Sequence, residues 1–155
     1  MGFRRETLSV FEPLLKPLGF ACVSADPFVV RFGSNSMFVV ISHGLHDYLI
    51  DITIGKLPYQ DPPELYTILE ILDFLGIARS EYTGPASNKG EVHERIRLFG
   101  NLIQQHCLDI LRGDEDLLSR LDYFTLPERR RYNYRMRHGE DPGEGWDPRS
   151  DNWWI

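Results

Sequence analysis

Long apolar runs and cysteine clusters are what this sequence of 155 residues most plainly lacks. No stretch approaches the roughly 18 apolar residues that a membrane-spanning helix needs. The first residues, MGFRRETLSVFEPLL, contain no uninterrupted apolar core of the kind found in signal peptides. The two cysteines, Cys22 and Cys107, are too few and too distant in sequence for a disulfide framework or a zinc cluster. We therefore expect a cytoplasmic protein without a membrane segment.

Sequence motifs of common catalytic and phosphate-binding sites are missing as well. There is no Gly-rich phosphate loop, no Gly-x-Ser-x-Gly and no His-Glu-x-x-His. His43 and His46, with Asp47 beside them, are too few for a zinc site, so we expect an exposed turn there. His106 and Cys107 are neighbours on a predicted helix, where their side chains project about 100° apart and cannot pair as nucleophile and base. We predict no enzyme activity, no metal and no cofactor.

The composition is that of an ordinary globular protein with an acidic body. Hydrophobic residues make up 42% of the chain and charged residues 26%, and the formal net charge is −6. Residues 125–155 contain six arginines and six acidic residues, so the whole excess of negative charge lies in residues 1–124. Because an acidic surface repels phosphate backbones and attracts basic proteins, we expect a basic protein partner rather than nucleic acid.

Five arginines against one acidic residue form a basic cluster between Glu128 and His138. Together with Tyr132 and Tyr134, which could stack on bases, this cluster could contact nucleic acid. We favour the alternative that these arginines neutralise the acidic body and hold the C-terminal tail against it.

Four short segments carry the pattern of β-strands, with alternating or β-branched and aromatic residues. They span residues 20–24, 28–32, 37–42 and 48–54. Their short connections predict antiparallel hairpins, because a parallel crossover needs about a dozen residues or more. In the fourth segment the isoleucines at 50, 52 and 54 share one face, and Asp51 and Thr53 share the other. This alternation predicts a sheet with one buried and one open face.

Apolar spacing predicts helices before and after these strands. They are an N-terminal helix over residues 3–18, a second helix with Asp61 as its N-cap, a third helix over 91–112, and a short helix from Asp114 to Leu121. In the second helix, Glu64 is expected to complete a capping box with Asp61. The predicted fold is therefore α+β: a four-stranded antiparallel meander with an N-terminal helix and three following helices in one domain, residues 1–124. Residues 125–155 are predicted to form an irregular aromatic tail that docks on its own domain or on a partner.

Residues 20–121 resemble the small α+β immunity proteins that accompany bacterial polymorphic toxins and contact-dependent effectors. The resemblance rests on the hairpin FVVRFGSNSMFVVIS, the strand LIDITIG, a Leu-rich helix and the closing segment DILRGDEDLLSRL. It implies a protein that binds and neutralises a cognate toxin without catalysis. Since immunity proteins share no active-site residues, the resemblance assigns no residue a role.

We predict partner contacts from the chemistry of the residues themselves. The candidates are His43, His46, Asp47 and Tyr48 in the third turn, Arg31, Asp51 and Thr53 on the outer face of the sheet, and Trp146, Trp153 and Trp154 in the tail. One alternative function is an intracellular adaptor or assembly protein that docks through this tail. Another is a hydrolase or transferase, which a deep polar pocket lined by His93, His106 or Asp109 would support.

Overall fold

The structure is a computed structural model and describes residues 2–44, 49–59, 65–78 and 89–154. The helices are α1 (Phe3–Leu15), α2 (Ile68–Phe74), α3 (Lys89–His106), α4 (Leu108–Leu111) and α5 (Glu115–His138). The strands are β1 (Ala21–Ala25), β2 (Val29–Gly33), β3 (Met37–His43), β4 (Ile50–Lys56) and β5 (Leu65–Thr67). The chain divides into two compact units, residues 1–114 and 115–155. This division falls where α5 begins, whereas the boundary predicted from the sequence follows Phe124.

The strands form a single antiparallel sheet in the order β1-β2-β3-β4-β5. This arrangement confirms the predicted α+β class, the N-terminal helix and the antiparallel meander. The predicted count of four strands is wrong, because residues 65–67, which are predicted as part of a helix, form a fifth strand. In β5, Tyr66 pairs with Ile54 of β4, and both side chains are fully buried. Pairing with β4 buries the tyrosine in the core, which favours a strand over a helix at residues 65–67.

Helix α2 consequently begins later than predicted, at Ile68, and uses a different cap. The hydroxyl of Thr67 accepts a hydrogen bond from the backbone N–H of Glu70 at 3.2 Å. The carboxylate of Glu70 in turn accepts one from the backbone N–H of Thr67 at 3.0 Å, which completes a capping box. The predicted cap residues Asp61 and Glu64 lie outside the described residues.

One face of the sheet forms the core of the first unit together with the helices. Its buried side chains are Val30, Phe32, Val39, Ile41, Ile52, Ile54 and Tyr66. Helices α1, α2 and α3 contact the strands, and α1 also packs against α3. There the buried carboxylate of Glu6 accepts a hydrogen bond from Nε of Arg97 at 2.7 Å. Burial of these apolar side chains is the main force that holds the first unit together.

The long helices differ from the predicted ones at their ends. Helix α1 continues through Pro13, is followed by a 3-10 turn at Lys16–Leu18, and the chain turns at Gly19, which has a φ of 87°. The predicted helix over 91–112 is broken at Cys107, whose φ and ψ of −113° and 5° are not helical. As a result, four helices rather than three follow the sheet in the described part of the chain.

The second unit consists of α5 and the residues that follow it. The predicted irregular tail is wrong for residues 125–138, because α5 continues to His138 in spite of Pro127. Acidic residues in its first turn and basic residues in its last turn complement the helix dipole, which stabilises the two ends of α5. Residues 139–154 contain turns and no further helix or strand.

Within the described ranges, no helix has both the length and the hydropathy that crossing a membrane requires.

Candidate binding surface

The outer face of the sheet, opposite the core, presents three rows of side chains across the strands. The rows are Gly33, Phe38, Gly55 and Leu65; Arg31, Val40, Thr53 and Thr67; and Val29, Ser42 and Asp51. Directly paired residues of an antiparallel sheet project to the same side. The register therefore brings Arg31, Asp51 and Thr53, three of the predicted contact residues, to one face.

Aromatic and apolar groups lie beside these polar residues. The rings of Phe38 and Tyr59 pack together with centroids 4.8 Å apart. Phe38 is buried, whereas 66% of Tyr59 is exposed. Val23 on edge strand β1 is 71% exposed, and a Cβ atom placed on Gly33 would lie 3.4 Å from its side chain. Since Gly33 is in the outer rows, Val23 also covers this face.

The charged side chains at this face have different surroundings. The guanidinium of Arg31 donates a hydrogen bond to the hydroxyl of Ser24 at 3.3 Å and lies 3.7 Å from the carboxylate of Asp26. The exposed carboxylate of Asp51 lies in a different row, across from Ser42. Because Arg31 and Asp26 are both well exposed, their ion pair contributes little to stability and leaves the arginine accessible.

These residues form what we call the outer-face patch. It consists of Val23, Arg31, Phe38, Asp51, Thr53 and Tyr59. An exposed tyrosine on an apolar support, on a sheet face that also presents an arginine, is typical of protein–protein interfaces. Exposed apolar side chains grouped on one face also mark binding surfaces more often than isolated ones do.

His43 occupies a different place from the one predicted. It is the last residue of β3 rather than part of an exposed turn, and its ring stacks on Phe3 at 5.4 Å and tilts against Phe28 at 6.2 Å. Both imidazole nitrogens are buried, because these two aromatic rings hold the side chain against the helix side of the sheet. His46, Asp47 and Tyr48 lie outside the described residues.

The tail tryptophans pack against α5 within the second unit. Arg130 lies over the ring of Trp153 at 5.3 Å, and Arg131 lies over the ring of Trp146 at 5.6 Å. The indole N–H of Trp146 donates a hydrogen bond to the carbonyl oxygen of Trp153 at 2.7 Å. The backbone carbonyl of Trp154 is 2.9 Å from Nε2 of His138. The aromatic tail thus docks on the helix that precedes it.

Arginines supply much of this docking. Nη1 of Arg130 donates hydrogen bonds to the carbonyl oxygens of Pro148 and Ser150, at 2.5 and 3.3 Å. Arg135 forms an ion pair with Asp141 at 2.6 Å. These arginines therefore hold the residues that follow α5 against α5 itself. That is a different contact from the predicted one with the acidic body, which stays a prediction.

The two thiols differ in environment. Cys107 is buried, and burial raises the pKa of its thiol to about 12. Cys22 is exposed on β1, and its pKa is also raised, first by partial desolvation and then by the negative charge of Glu12. In the described ranges, no group of three or more His, Cys, Asp or Glu side chains could hold a metal ion.

Tyr59, Val23 and Phe38 of the outer-face patch were not among the predicted contact residues. Tyr59 follows β4 in a loop, so its packing on Phe38 depends on a tertiary contact that no local pattern encodes. Val23 lies at a β-bulge between Cys22 and Ser24, where the register of β1 against β2 shifts.

Neither a family model, nor a curated protein, nor a solved structure matches this chain.

Proposed function

We propose that this chain is an immunity protein that binds a basic bacterial toxin through the outer-face patch and neutralises it without catalysis. The observation that carries the proposal is the exposed ring of Tyr59, supported by Phe38, on a sheet face that also presents Arg31 and Asp51. Tyrosine and arginine are enriched among the residues that dominate binding energy at interfaces.

The charge of the first unit supports a basic partner. Residues 1–114 contain 10 Lys and Arg against 14 Asp and Glu. An excess of negative charge of this kind accelerates encounter with a basic protein and disfavours nucleic acid. The expected association is therefore faster at low salt than at physiological salt, where charges more than about 8 Å apart are largely screened.

The packing of the tail favours this proposal over an adaptor that docks through its tryptophans. Trp146 and Trp153 contact arginines of α5, and the indole N–H of Trp146 is hydrogen-bonded within the tail. A partner that captured these rings would have to displace those contacts first. The outer-face patch requires no such displacement.

The direct test is growth rescue in bacteria that express the product of the gene immediately upstream. The chain should restore growth when co-expressed with that product, and the two purified proteins should form a stoichiometric complex in a pull-down. A truncated chain that ends at residue 138 separates the two functions, because an immunity protein that binds through its sheet keeps its partner while an adaptor loses it.

Two results would contradict the proposal. If the upstream product is toxic and the chain neither rescues growth nor binds it, the chain is not its immunity protein. If binding is retained by the full chain and lost by the truncated one, the tail rather than the sheet is the interface.

A further inference from the structure

Strand β1 forms one edge of the sheet, and no strand pairs with its other side in the described part of the chain. Its first three residues, Ala21, Cys22 and Val23, are exposed. Proteins commonly protect such an edge with lysine or proline in the strand. The sequence of β1, ACVSA, contains neither. The edge is therefore suited to pairing with a further strand.

The hydrogen-bond pattern identifies the backbone groups that face this open side. Hydrogen-bonded and non-hydrogen-bonded pairs alternate along an antiparallel ladder. The backbone N–H of Asp26 donates to the carbonyl oxygen of Val29 at 2.8 Å. The next pair, Ala25 and Val30, is therefore a non-hydrogen-bonded one. Both the N–H and the carbonyl of Ala25 consequently point away from β2, where an added strand would find a donor and an acceptor.

The β-bulge at Val23 limits how much of the edge can pair. It interrupts the register of β1 against β2 between Cys22 and Ser24, and such bulges hinder indiscriminate edge-to-edge pairing. Residues 24–26 continue the ladder beyond the bulge, so pairing is expected to centre on Ala25. Val23 itself covers the outer face, which makes this edge continuous with the outer-face patch.

Carboxylates at the two ends of the edge indicate the charge of the segment that fits it. Near the start of β1, the negative charge of the exposed Glu12 raises the pKa of the Cys22 thiol. At the other end, Asp26 directly follows β1 and is well exposed, 3.7 Å from Arg31. A second copy of the chain, paired antiparallel, would bring the Asp26 of each copy toward the Glu12 of the other. Because like charges repel, a basic segment fits this edge better than a second copy does.

We propose that an extended basic segment of the toxin pairs with β1 as a further strand of the sheet, through main-chain hydrogen bonds to Ala25. This inference rests on the proposed function, since it specifies how the toxin is held at the border of the outer-face patch. In strand addition of this kind, main-chain hydrogen bonds supply affinity and contacts of alternate side chains supply specificity. Val23 and Arg31 are the residues of the outer-face patch closest to the added strand.

The test compares amide hydrogen exchange in the free chain and in its complex with the purified upstream gene product, followed residue by residue by NMR. The amide of Ala25 should exchange at least about tenfold more slowly in the complex, because it becomes hydrogen-bonded there. The amide of Asp151, in an exposed turn of the second unit, is the internal control and should exchange equally fast in both states.

A pair of variants tests the backbone hydrogen bond. Ala25→Pro removes the outward N–H, and proline is tolerated on an edge strand at a position whose N–H faces solvent. Ala25→Ser keeps this N–H and is the matched control. In isothermal titration, Ala25→Pro should weaken binding about tenfold, the effect of one lost hydrogen bond, and Ala25→Ser should bind as the wild type does. Circular dichroism verifies the fold of both variants, and the exchange measurement on the unaltered chain decides the matter if Ala25→Pro does not fold.

A second pair of variants tests the basic character of the added segment. Glu12→Gln removes the charge near β1, whereas Glu94→Gln removes an exposed charge from α3. At low salt, Glu12→Gln should slow association about threefold, the effect of one unit charge at about 6 Å in water. Glu94→Gln should slow it less. Equal slowing by the two variants would contradict a basic segment at this edge.

Failure of this inference can be distinguished from failure of the proposed function. If the chain rescues growth and forms the complex while the Ala25 amide exchanges as fast as in the free chain, the toxin binds without adding a strand. Equal weakening by Ala25→Pro and Ala25→Ser would also overturn the inference. Protection of the Ala25 amide in a dimeric free chain would show that a second copy occupies the edge. If there is neither rescue nor a complex, the proposed function and this inference are both wrong.

Discussion

Arg149 donates a hydrogen bond to the backbone carbonyl of Tyr123 at 3.4 Å, and its guanidinium lies 4.3 Å from the centre of the same residue's ring. In a regular helix this carbonyl would accept from the N–H of residue 127, four positions later. Residue 127 is a proline and has no N–H to donate. The tail therefore supplies the donor that the helix lacks, which links the proline in α5 to the docking of the tail.

The first prediction concerns this link. Arg149→Ala should destabilise the second unit by about 1 kcal/mol, through loss of the hydrogen bond and the cation–π contact. In a Pro127→Ala background the same change should cost less, because the backbone N–H of residue 127 then satisfies the carbonyl of Tyr123. A double-mutant cycle by urea unfolding measures the coupling. Equal costs of Arg149→Ala in the two backgrounds would show that the two residues are independent.

The second prediction is that Arg130 holds the tail on α5. Arg130→Ala removes the hydrogen bonds to Pro148 and Ser150 and the contact with Trp153. Chymotryptic cleavage after the tail tryptophans should become about tenfold faster, which corresponds to about 1.4 kcal/mol in the docking equilibrium. Tryptophan fluorescence should shift to longer wavelength.

Arg137→Ala is the matched control for this experiment. It removes an exposed arginine from the same helix, and no contact between Arg137 and the tail is found among the described residues. Cleavage of this variant should match that of the wild type. Similar acceleration in both variants would mean that net charge, rather than the specific contacts of Arg130, governs tail docking.

In the second unit, local sequence patterns predict the wrong end for helix α5. Pro127 and the absence of an aliphatic stripe after Phe124 favour the end of a helix, yet α5 continues to His138. The reason is tertiary: arginine, tyrosine and tryptophan side chains bring the tail back onto the helix, and Arg149 compensates the backbone carbonyl. The arginine and tryptophan content indicated a docked tail, but only the structure identifies its docking surface.

The third prediction tests the close approach of α1 and α3. A Cβ atom on Gly100 would lie only 2.5 Å from a methyl group of Val10. Alanine is normally favoured over glycine in a helix by up to about 1 kcal/mol. Here Gly100→Ala should instead destabilise the first unit by about 1–2 kcal/mol, because β-branched Val10 has little freedom to move. Thermal or urea unfolding measures the change.

Adding Val10→Ala provides the control for the steric explanation. In that background Gly100→Ala should become neutral or stabilising, since the methyl group that it meets is gone. A cost that persisted in the double variant would mean that the glycine has a role other than close packing.

The fourth prediction follows from the pKa values of the two thiols. In the native protein a thiol reagent should modify Cys22 and leave Cys107 unreacted, and both should react after unfolding. Modification of Cys22 should also be slower at neutral pH than that of a free thiol, because its raised pKa lowers the fraction of thiolate. Rapid modification of both cysteines in the native state would contradict the buried position of Cys107.

Burial of Cys107 also makes the free energy of unfolding depend on pH in the alkaline range. Cys107 keeps its proton in the folded chain up to a pKa of about 12, whereas in the unfolded chain it ionises near its ordinary value of 9.0. The unfolded chain therefore loses this proton first as the pH rises. The contribution of the buried, protonated thiol to the free energy of unfolding is complete below pH 9 and is lost as the pH rises toward 12. In Cys107→Ala, the urea midpoint should fall less steeply between pH 9 and about 11 than in the wild type.

Some residues of the candidate surface can be predicted from the sequence, and others cannot. Strict alternation in β4 places Asp51 and Thr53 opposite the buried isoleucines, and short hairpins bring Arg31 onto the same face. A period-two pattern is enough to predict these positions, because short turns join the neighbouring strands and bring their outward-facing residues onto one face of the sheet. Tyr59 and the ring environment of His43 could not be derived, since both depend on contacts between elements far apart in the chain.

The most direct test of the proposed function compares the affinity of two tyrosine variants for the upstream gene product. Tyr59 in the outer-face patch and Tyr132 on α5 are similarly exposed, at 66% and 59%. If the outer-face patch is the interface, Tyr59→Ala should weaken binding in isothermal titration about thirtyfold, the loss of roughly 2 kcal/mol expected for an interface hot spot. Tyr132→Ala should bind as the wild type does. Unchanged affinity of Tyr59→Ala together with weakened binding of Tyr132→Ala would contradict the account and place the interface on α5.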